Sequence, residues 1–174
     1  MLFVDPTRYK RSGLSLTRRE FLIRMVPLAG FVQQQTMGKA MVTGKQTTVG
    51  VYASLIAAHI IFKSEWGEHP VARTLWNSIP ANNLALIEAH RYWKKLKILH
   101  GEKEYRGYKN WREFAIDFSD DLAWHPEYYD VLLENNLVQQ IEKMSLREGV
   151  PKDYCANIAL IIRDYGLREF DFCD

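Results

Sequence analysis

The chain has 174 residues, 47% hydrophobic and 13% aromatic, with 23 basic and 21 acidic side chains and a net charge of +2. That length holds one good core, that composition excludes a disordered chain, and so even a charge balance gives no footprint for nucleic acid. Two cysteines, Cys155 and Cys173, are too few for a disulfide framework and lack metal-ligand spacing, and no apolar run reaches the roughly 18 residues of a membrane span.

Residues 1–16 hold Pro6, Gly13 and several basic side chains without periodicity, and are predicted to be an N-terminal arm that a partner would order. The domain proper is predicted over residues 17–174. Thr17 with Glu20 three residues on makes a capping box, so a helix should start near Arg18. Phe21, Leu22, Met25, Val26, Leu28, Ala29 and Val32 recur at helical spacing, with Pro27 expected to kink or end the first part. The pair Arg18-Arg19 also suggests a twin-arginine export signal. Arg24 interrupts the apolar stretch and Gln33-Gln34-Gln35 follows without a small-residue cleavage site, so the helix is the better reading. Residues 37–50, with Gly38, Gly44 and Gly50, are predicted to be a loop.

From Val51 to Trp66 the chain is apolar nearly all round, which predicts a central buried helix ended by Gly67 and Pro70. His59 and Lys63 share one face of it, with Trp66 a turn further on. An unpaired buried ammonium is costly, so Lys63 must reach solvent or a carboxylate. Lys95-Leu96-Lys97-Ile98 alternates as a half-buried strand does, and the segments 94–99 and 102–108 are predicted to pair as a hairpin across His100-Gly101. Asn110 with Glu113 caps a helix lined by Trp111, Ala115, Phe118 and Leu122. Further helices are predicted from Pro126 to Leu133, around Leu137 to Met144, and from Tyr154 to Leu167.

Several of these segments carry a resemblance. Ala58-His59-Ile60-Ile61-Phe62-Lys63-Ser64-Glu65-Trp66-Gly67 resembles the signature A-Q-A-x-L-E-S-G-W-G of the peptidoglycan glucosaminidases of the autolysin and flagellar-hydrolase type. His59 replaces Gln, Glu65 replaces Gly, and Lys63 stands where that family carries its catalytic Glu. Glu20-Phe21-Leu22-Ile23 to Pro27-Leu28-Ala29 resembles the family's opening E-F-I … P-L-A. Asn82-Asn83-Leu84-Ala85-Leu86-Ile87-Glu88 resembles N-N-L-F-G-I-K, with Leu86 for Gly and Glu88 for Lys. Tyr105-Arg106-Gly107-Tyr108 resembles F-R-x-Y, and Ile161 to Asp171 the family's terminal segment. Where the family has Y-A-T-D-P-x-Y, residues 148–154 retain only the last residue, Tyr154.

The resemblance implies a mainly α, lysozyme-like fold with a small β-hairpin, and a glycan cleft lined by His59, Lys63, Trp66, Asn82, Asn83, Glu88, Tyr105 and Tyr108. Lys63 and Glu88 exchange the family's charges, which suggests a compensating pair. Glycoside cleavage needs a placed carboxylic acid, and a lysine donates its proton poorly. Glu65 would sit roughly 200° round the helix from Lys63, and in the hairpin only Glu102 and Glu104 could serve. The favoured reading is therefore a domain directed to peptidoglycan that has lost hydrolysis, a glycan-binding or structural part of a wall-associated assembly. The alternative is an active endo-β-N-acetylglucosaminidase using Glu65, Glu102 or Glu104. No cofactor is expected, and His69 with Glu65 and Glu68 is too loose for a metal. The partners implied are glycan strands and, through the arm, a protein of the cell wall, periplasm, or a phage or secretion assembly.

Overall fold

The computed structural model describes residues 17–73, 75–76, 79–80, 83–147 and 152–172. The predicted arm, Asn82, Cys173 and residues 148–151 lie outside these. Helix α1 runs from Arg18 to Val42, α2 from Ala53 to Ser64, and a single turn, α3, from Pro70 to Arg73. Two antiparallel ladders follow, β1 (Leu75–Trp76) with β2 (Ile79–Pro80) and β3 (Lys97–His100) with β4 (Lys103–Arg106). Then come α4 (Trp111–Trp124), a 3-10 turn into α5 (Tyr129–Leu132), α6 (Leu137–Arg147) and α7 (Tyr154–Asp164), and a closing 3-10 turn at Leu167–Phe170. The architecture is mainly α with a small hairpin. No helix among the described residues is long and apolar enough to cross a membrane.

The capping box forms as written in the sequence: Glu20 N–H donates to Thr17 Oγ1 at 3.2 Å, and Thr17 N–H to Glu20 Oε2 at 2.8 Å. The backbone N–H of Thr17 is the first cause of the lowered pKa of Glu20. Pro27 lies inside α1, so of the two expected effects it does not end the helix. One expectation needs correcting: the helix continues through Gly38 to Val42, so the connection is shorter than the predicted loop over 37–50. At α4, Asn110 Oδ1 accepts Glu113 N–H at 2.9 Å, as expected of the cap.

The chain divides into two compact units. One holds Ile60–Phe114 together with residues 17–25. In it, Val71 and Ile98 form a small core against Leu86, Leu96 and Tyr105. The hairpin pairs Lys97 with Arg106 through His100 with Lys103, and its two-residue connection has positive φ only at Gly101, the placement of glycine in a type II′ turn.

The other unit holds Val26–His59 and Ala115–Asp174. Two buried glutamines tie it together. Gln33 Nε2 donates to Val49 O and Phe172 O, and its Oε1 accepts from Ala53 and Phe172 N–H. Gln140 Nε2 donates to Gly50, Val131 and Glu134 carbonyls, and its Oε1 accepts from Tyr52 N–H at 2.9 Å. Asp171 completes the set from the far end of the sequence. Its carboxylate accepts Ser54 N–H at 2.7 Å and Ser54 Oγ–H at 2.8 Å, and Arg168 reaches it at 3.1 Å. These groups cap the first turn of α2. Burial raises the Asp171 pKa against the lowering effect of Ser54 and Arg168.

Asp171→Ala would leave Ser54 N–H buried without its acceptor, and is expected to cost about 2–3 kcal/mol. Chemical denaturation of wild type and variant reads this directly. A change below about 0.5 kcal/mol would show that water or another acceptor takes the place of the carboxylate.

Candidate functional site

Helix α2 stops at Ser64, two residues earlier than its apolar run suggests. Glu65, Trp66 and Gly67 all take left-handed backbone, with φ of 51°, 60° and 80°. The exit is held by Trp66 N–H to Ile61 O, Gly67 N–H to Ser64 Oγ and His69 N–H to Ser64 O, at 3.2, 3.0 and 2.9 Å. A Cβ at Gly67 would lie 2.7 Å from a ring carbon of Phe21, so both backbone angle and space require glycine there. Lys63 sits half-buried in the last turn of α2. Glu65 is exposed and outside the helix, so the angle inferred for it from helical geometry does not apply. Trp66 is half-buried, edge-on to Phe21, with the Arg18 guanidinium 5.0 Å from its ring centroid.

The segment from Asn83 is built around that side chain. Asn83 is fully buried, and its Oδ1 accepts Ile87 N–H while its Nδ2 donates to Ile87 O and Arg106 O, all within 2.9 Å. The turn so formed puts Leu86 at a φ of 53°. It also lays residues 87–89 along β4, where Arg106 N–H donates to Ile87 O, Ala89 N–H to Glu104 O, and Glu88 faces Tyr105. The expected pairing of Glu88 with Lys63 is not what forms. The Glu88 carboxylate meets Lys103 across the hairpin, and this hydrogen bond is the first cause of the raised Lys103 pKa.

The remaining carboxylates of this unit are surface groups. Glu102 is exposed at the hairpin tip, Glu104 pairs with Lys97 at 2.6 Å, and Glu68 with Arg73 at 3.1 Å. Tyr105 is half-buried on the Val71–Ile98 core. Tyr108 is buried, edge-on to both Trp93 and Phe114. His69 Nδ1 accepts Val71 N–H at 3.2 Å, and its ring lies 5.3 Å from that of His100. Desolvation lowers the His69 pKa, opposed by Glu65 and assisted by His100. Among the described residues no group of three His, Cys, Asp or Glu side chains is arranged to hold a metal ion.

In the other unit His59 is 1% exposed. Its Nδ1 meets the Tyr154 hydroxyl at 2.7 Å and its ring stacks on Phe118 at 6.1 Å. This is the environment of a core histidine. Tyr154 was legible only through its match to the resembled motif, and its hydrogen bond to His59, 95 residues away, had no local signal.

No family model matches the chain, and no curated protein matches its sequence. Its structure matches solved ones. The glycoside hydrolase domain of FlgJ from Salmonella typhimurium superposes with a TM-score of 0.66 at 21% identity, over 88% of this chain and 91% of that one. The catalytic domain of the autolysin Auto from Listeria monocytogenes gives 0.63 at 15% identity, over 98% and 100%. A peptidoglycan hydrolase mutant from Sphingomonas sp. A1 gives 0.63 at 16%, over 88% and 97%. The fold is that of the glucosaminidase-like peptidoglycan hydrolases.

That fold gives the left-handed residues a meaning. Glu65 and Leu86 are the two places where this chain departs from a glycine of the resembled motifs, and both keep positive φ. Each accepts the strain of a side chain in this region, of order 1–2 kcal/mol.

Glu65→Gly and Leu86→Gly are therefore each expected to stabilise the protein by about 1 kcal/mol, whereas Gly67→Ala destabilises it by more than that. Thermal and denaturant melts of the three variants test the signs, and destabilisation by both glycine replacements would refute the strain argument.

The His69 imidazole caps Val71 only when Nδ1 is unprotonated. Its folded pKa lies below the ordinary value of 6.5, so the unfolded chain binds the extra proton. Its contribution to stability is complete above about pH 6.5 and is lost as pH falls through the lower folded value. His69→Asn keeps an acceptor at every pH and should flatten the melting profile between pH 7 and about 5. An unchanged slope would remove His69 from the account.

Proposed function

We propose that this protein is a peptidoglycan-directed, glucosaminidase-like domain that has lost hydrolysis and serves as a glycan-binding or structural module of a wall-associated assembly. The observation that carries the reading is Lys63 in the last turn of α2, at the position where the resembled motif holds its catalytic Glu. The motif's register is supported by the left-handed backbone at Glu65, Trp66 and Gly67, which follows directly.

Cleavage of a glycosidic bond calls for a carboxylic acid protonated near working pH and aimed at the leaving oxygen. Desolvation is the usual means of raising such an acid, and an adjacent cation works against it. Glu88, Glu104 and Glu68 each face a cation, and Glu65 and Glu102 are open to water. Lys63 carries the wrong charge to stabilise an oxocarbenium ion. Binding needs none of this. A glycan-directed surface can persist after the acid is gone, because sugar recognition rests on hydrogen bonds and aromatic faces rather than on a proton donor.

Muropeptide release from purified peptidoglycan, read by mass spectrometry beside a sedimentation assay on the same material, tests the proposal. The wild type should sediment with the glycan and release nothing. Lys63→Glu should bind equally and, if the cleft lacks only its acid, begin to release fragments. Release by the wild type that disappears in Glu65→Gln, Glu102→Gln or Glu104→Gln would overturn the proposal and identify a relocated acid.

A further inference from the structure

The charge of this chain is not evenly spread. Residues 91–112 carry eight Lys or Arg and two Glu, a net of +6 in a chain whose total is +2. Within that stretch Glu104 pairs with Lys97, and Glu88 from outside it neutralises Lys103. Arg91, Lys94, Lys95, Lys109 and Arg112 are exposed, and among the described residues none of their side-chain cations has a carboxylate within 4.0 Å, although the Lys109 backbone N–H donates to Glu113 Oε2 at 2.7 Å.

Two strands of chain bring these cations together. Gly107 N–H and Trp93 Nε1–H both donate to Leu96 O, at 2.7 and 2.8 Å, and Tyr108 packs edge-on to Trp93. The approach is close enough that a Cβ at Gly107 would fall 2.6 Å from Leu96 Cγ. The 91–95 turn and the 107–112 segment are thereby fastened to each other, and their unneutralised cations belong to one basic lobe.

Aromatic rings sit among them. Tyr92 is 66% exposed, with the Arg91 guanidinium 4.5 Å from its ring centroid. Trp93 is half-buried, with Lys95 and Arg106 over its ring at 5.3 and 5.0 Å. Proteins that hold single-stranded nucleic acid stack bases on open aromatic faces, and here cations already lie over both rings. Tyrosine and tryptophan beside lysine and arginine instead suit the boundary between lipid headgroups and acyl chains, where the ring is half-wet and the cations meet phosphates.

We propose that this lobe docks on an anionic phospholipid bilayer, with Arg91, Lys94, Lys95, Lys109 and Arg112 on the headgroup phosphates and Tyr92 at headgroup depth. The contact is peripheral. It is electrostatic in origin, so it weakens as salt shortens the screening length. It stands independently of the glycan reading.

Sedimentation with vesicles tests it, comparing phosphatidylglycerol mixed with phosphatidylcholine against phosphatidylcholine alone, at 20 and 300 mM salt. The full chain should partition onto the anionic vesicles only, and less at the higher salt. Each cation near such a surface contributes about fivefold to partition, so Lys94→Gln with Lys95→Gln should lower it by about 25-fold. Lys97→Gln with Lys103→Gln removes the same formal charge from already neutralised sites and should change it by less than about threefold. Equal losses in the two double variants would reduce the effect to net charge and overturn the proposal. So would an absence of partition by wild type, or equal binding to soluble polyphosphate at matched phosphate concentration. The vesicles contain no sugar, so failure here leaves the glycan reading standing, and failure to bind peptidoglycan leaves this one.

Discussion

A helix that starts inside the core has no water for its first backbone donors, and that constraint governs this structure. From Ala53 to Ile61 every residue of α2 is buried. Its first backbone donors must therefore be met by protein, and the acceptors arrive from distant parts of the chain. Thr36 Oγ1 takes Val51 N–H, Gln140 takes Tyr52, Gln33 takes Ala53 and Asp171 takes Ser54. Four side chains from α1, α6 and the C-terminal turn are thus committed to one helix start. A buried amide left without its acceptor costs roughly 1–3 kcal/mol. Long polar side chains inside an apolar core are explained by the same need: Gln33 and Gln140 each satisfy several main-chain groups that the core would otherwise strand.

The other end of α2 answers the constraint differently. Here the chain turns back on itself through three left-handed residues, so that Gly67 and His69 amides find Ser64. Only Gly67 suits the geometry without penalty. Glu65 and Trp66 adopt it where the Trp66 amide is held on Ile61 O and its ring packs edge-on to Phe21. The same logic operates at Leu86, where three hydrogen bonds from Asn83 fix the turn more firmly than one side chain can resist. Strain persists where the surroundings over-determine the backbone.

What was legible in the sequence was local. The Thr17–Glu20 box, the Asn110 cap, the Gly101 turn and the apolar run of α2 each carry their signal within a few residues, and each element formed. The extension of α1 to Val42 was hidden because Gly38 and its polar neighbours have the composition of a loop, while burial of Ala40 and the tie of Lys39 to Asp120 at 2.6 Å hold them helical. The glutamine in Gln33-Gln34-Gln35 that matters could not be singled out, since its partners lie as far off as Phe172. Glu88 was matched to Lys63 by an exchange of charges along the sequence, but strand register decides such contacts, and register places Lys103 within its reach. The candidate site was legible chiefly as a resemblance, and its two glycine departures became informative only when the backbone angles were known.

Lys63 is also consistent with its place in the helix. The C-terminal turn of a helix carries partial negative charge, which favours a cation and disfavours a carboxylate by about 0.3–1 kcal/mol. An acid stationed there is destabilised as an anion, and that is useful to a group required to hold its proton for a leaving oxygen. A lysine in the same turn removes the conflict, and on the function proposed above it removes the proton donor with it. Stability and proton donation draw on the same local field with opposite sign. If hydrolysis is lost as proposed, the cation is the choice that the helix field favours at this position.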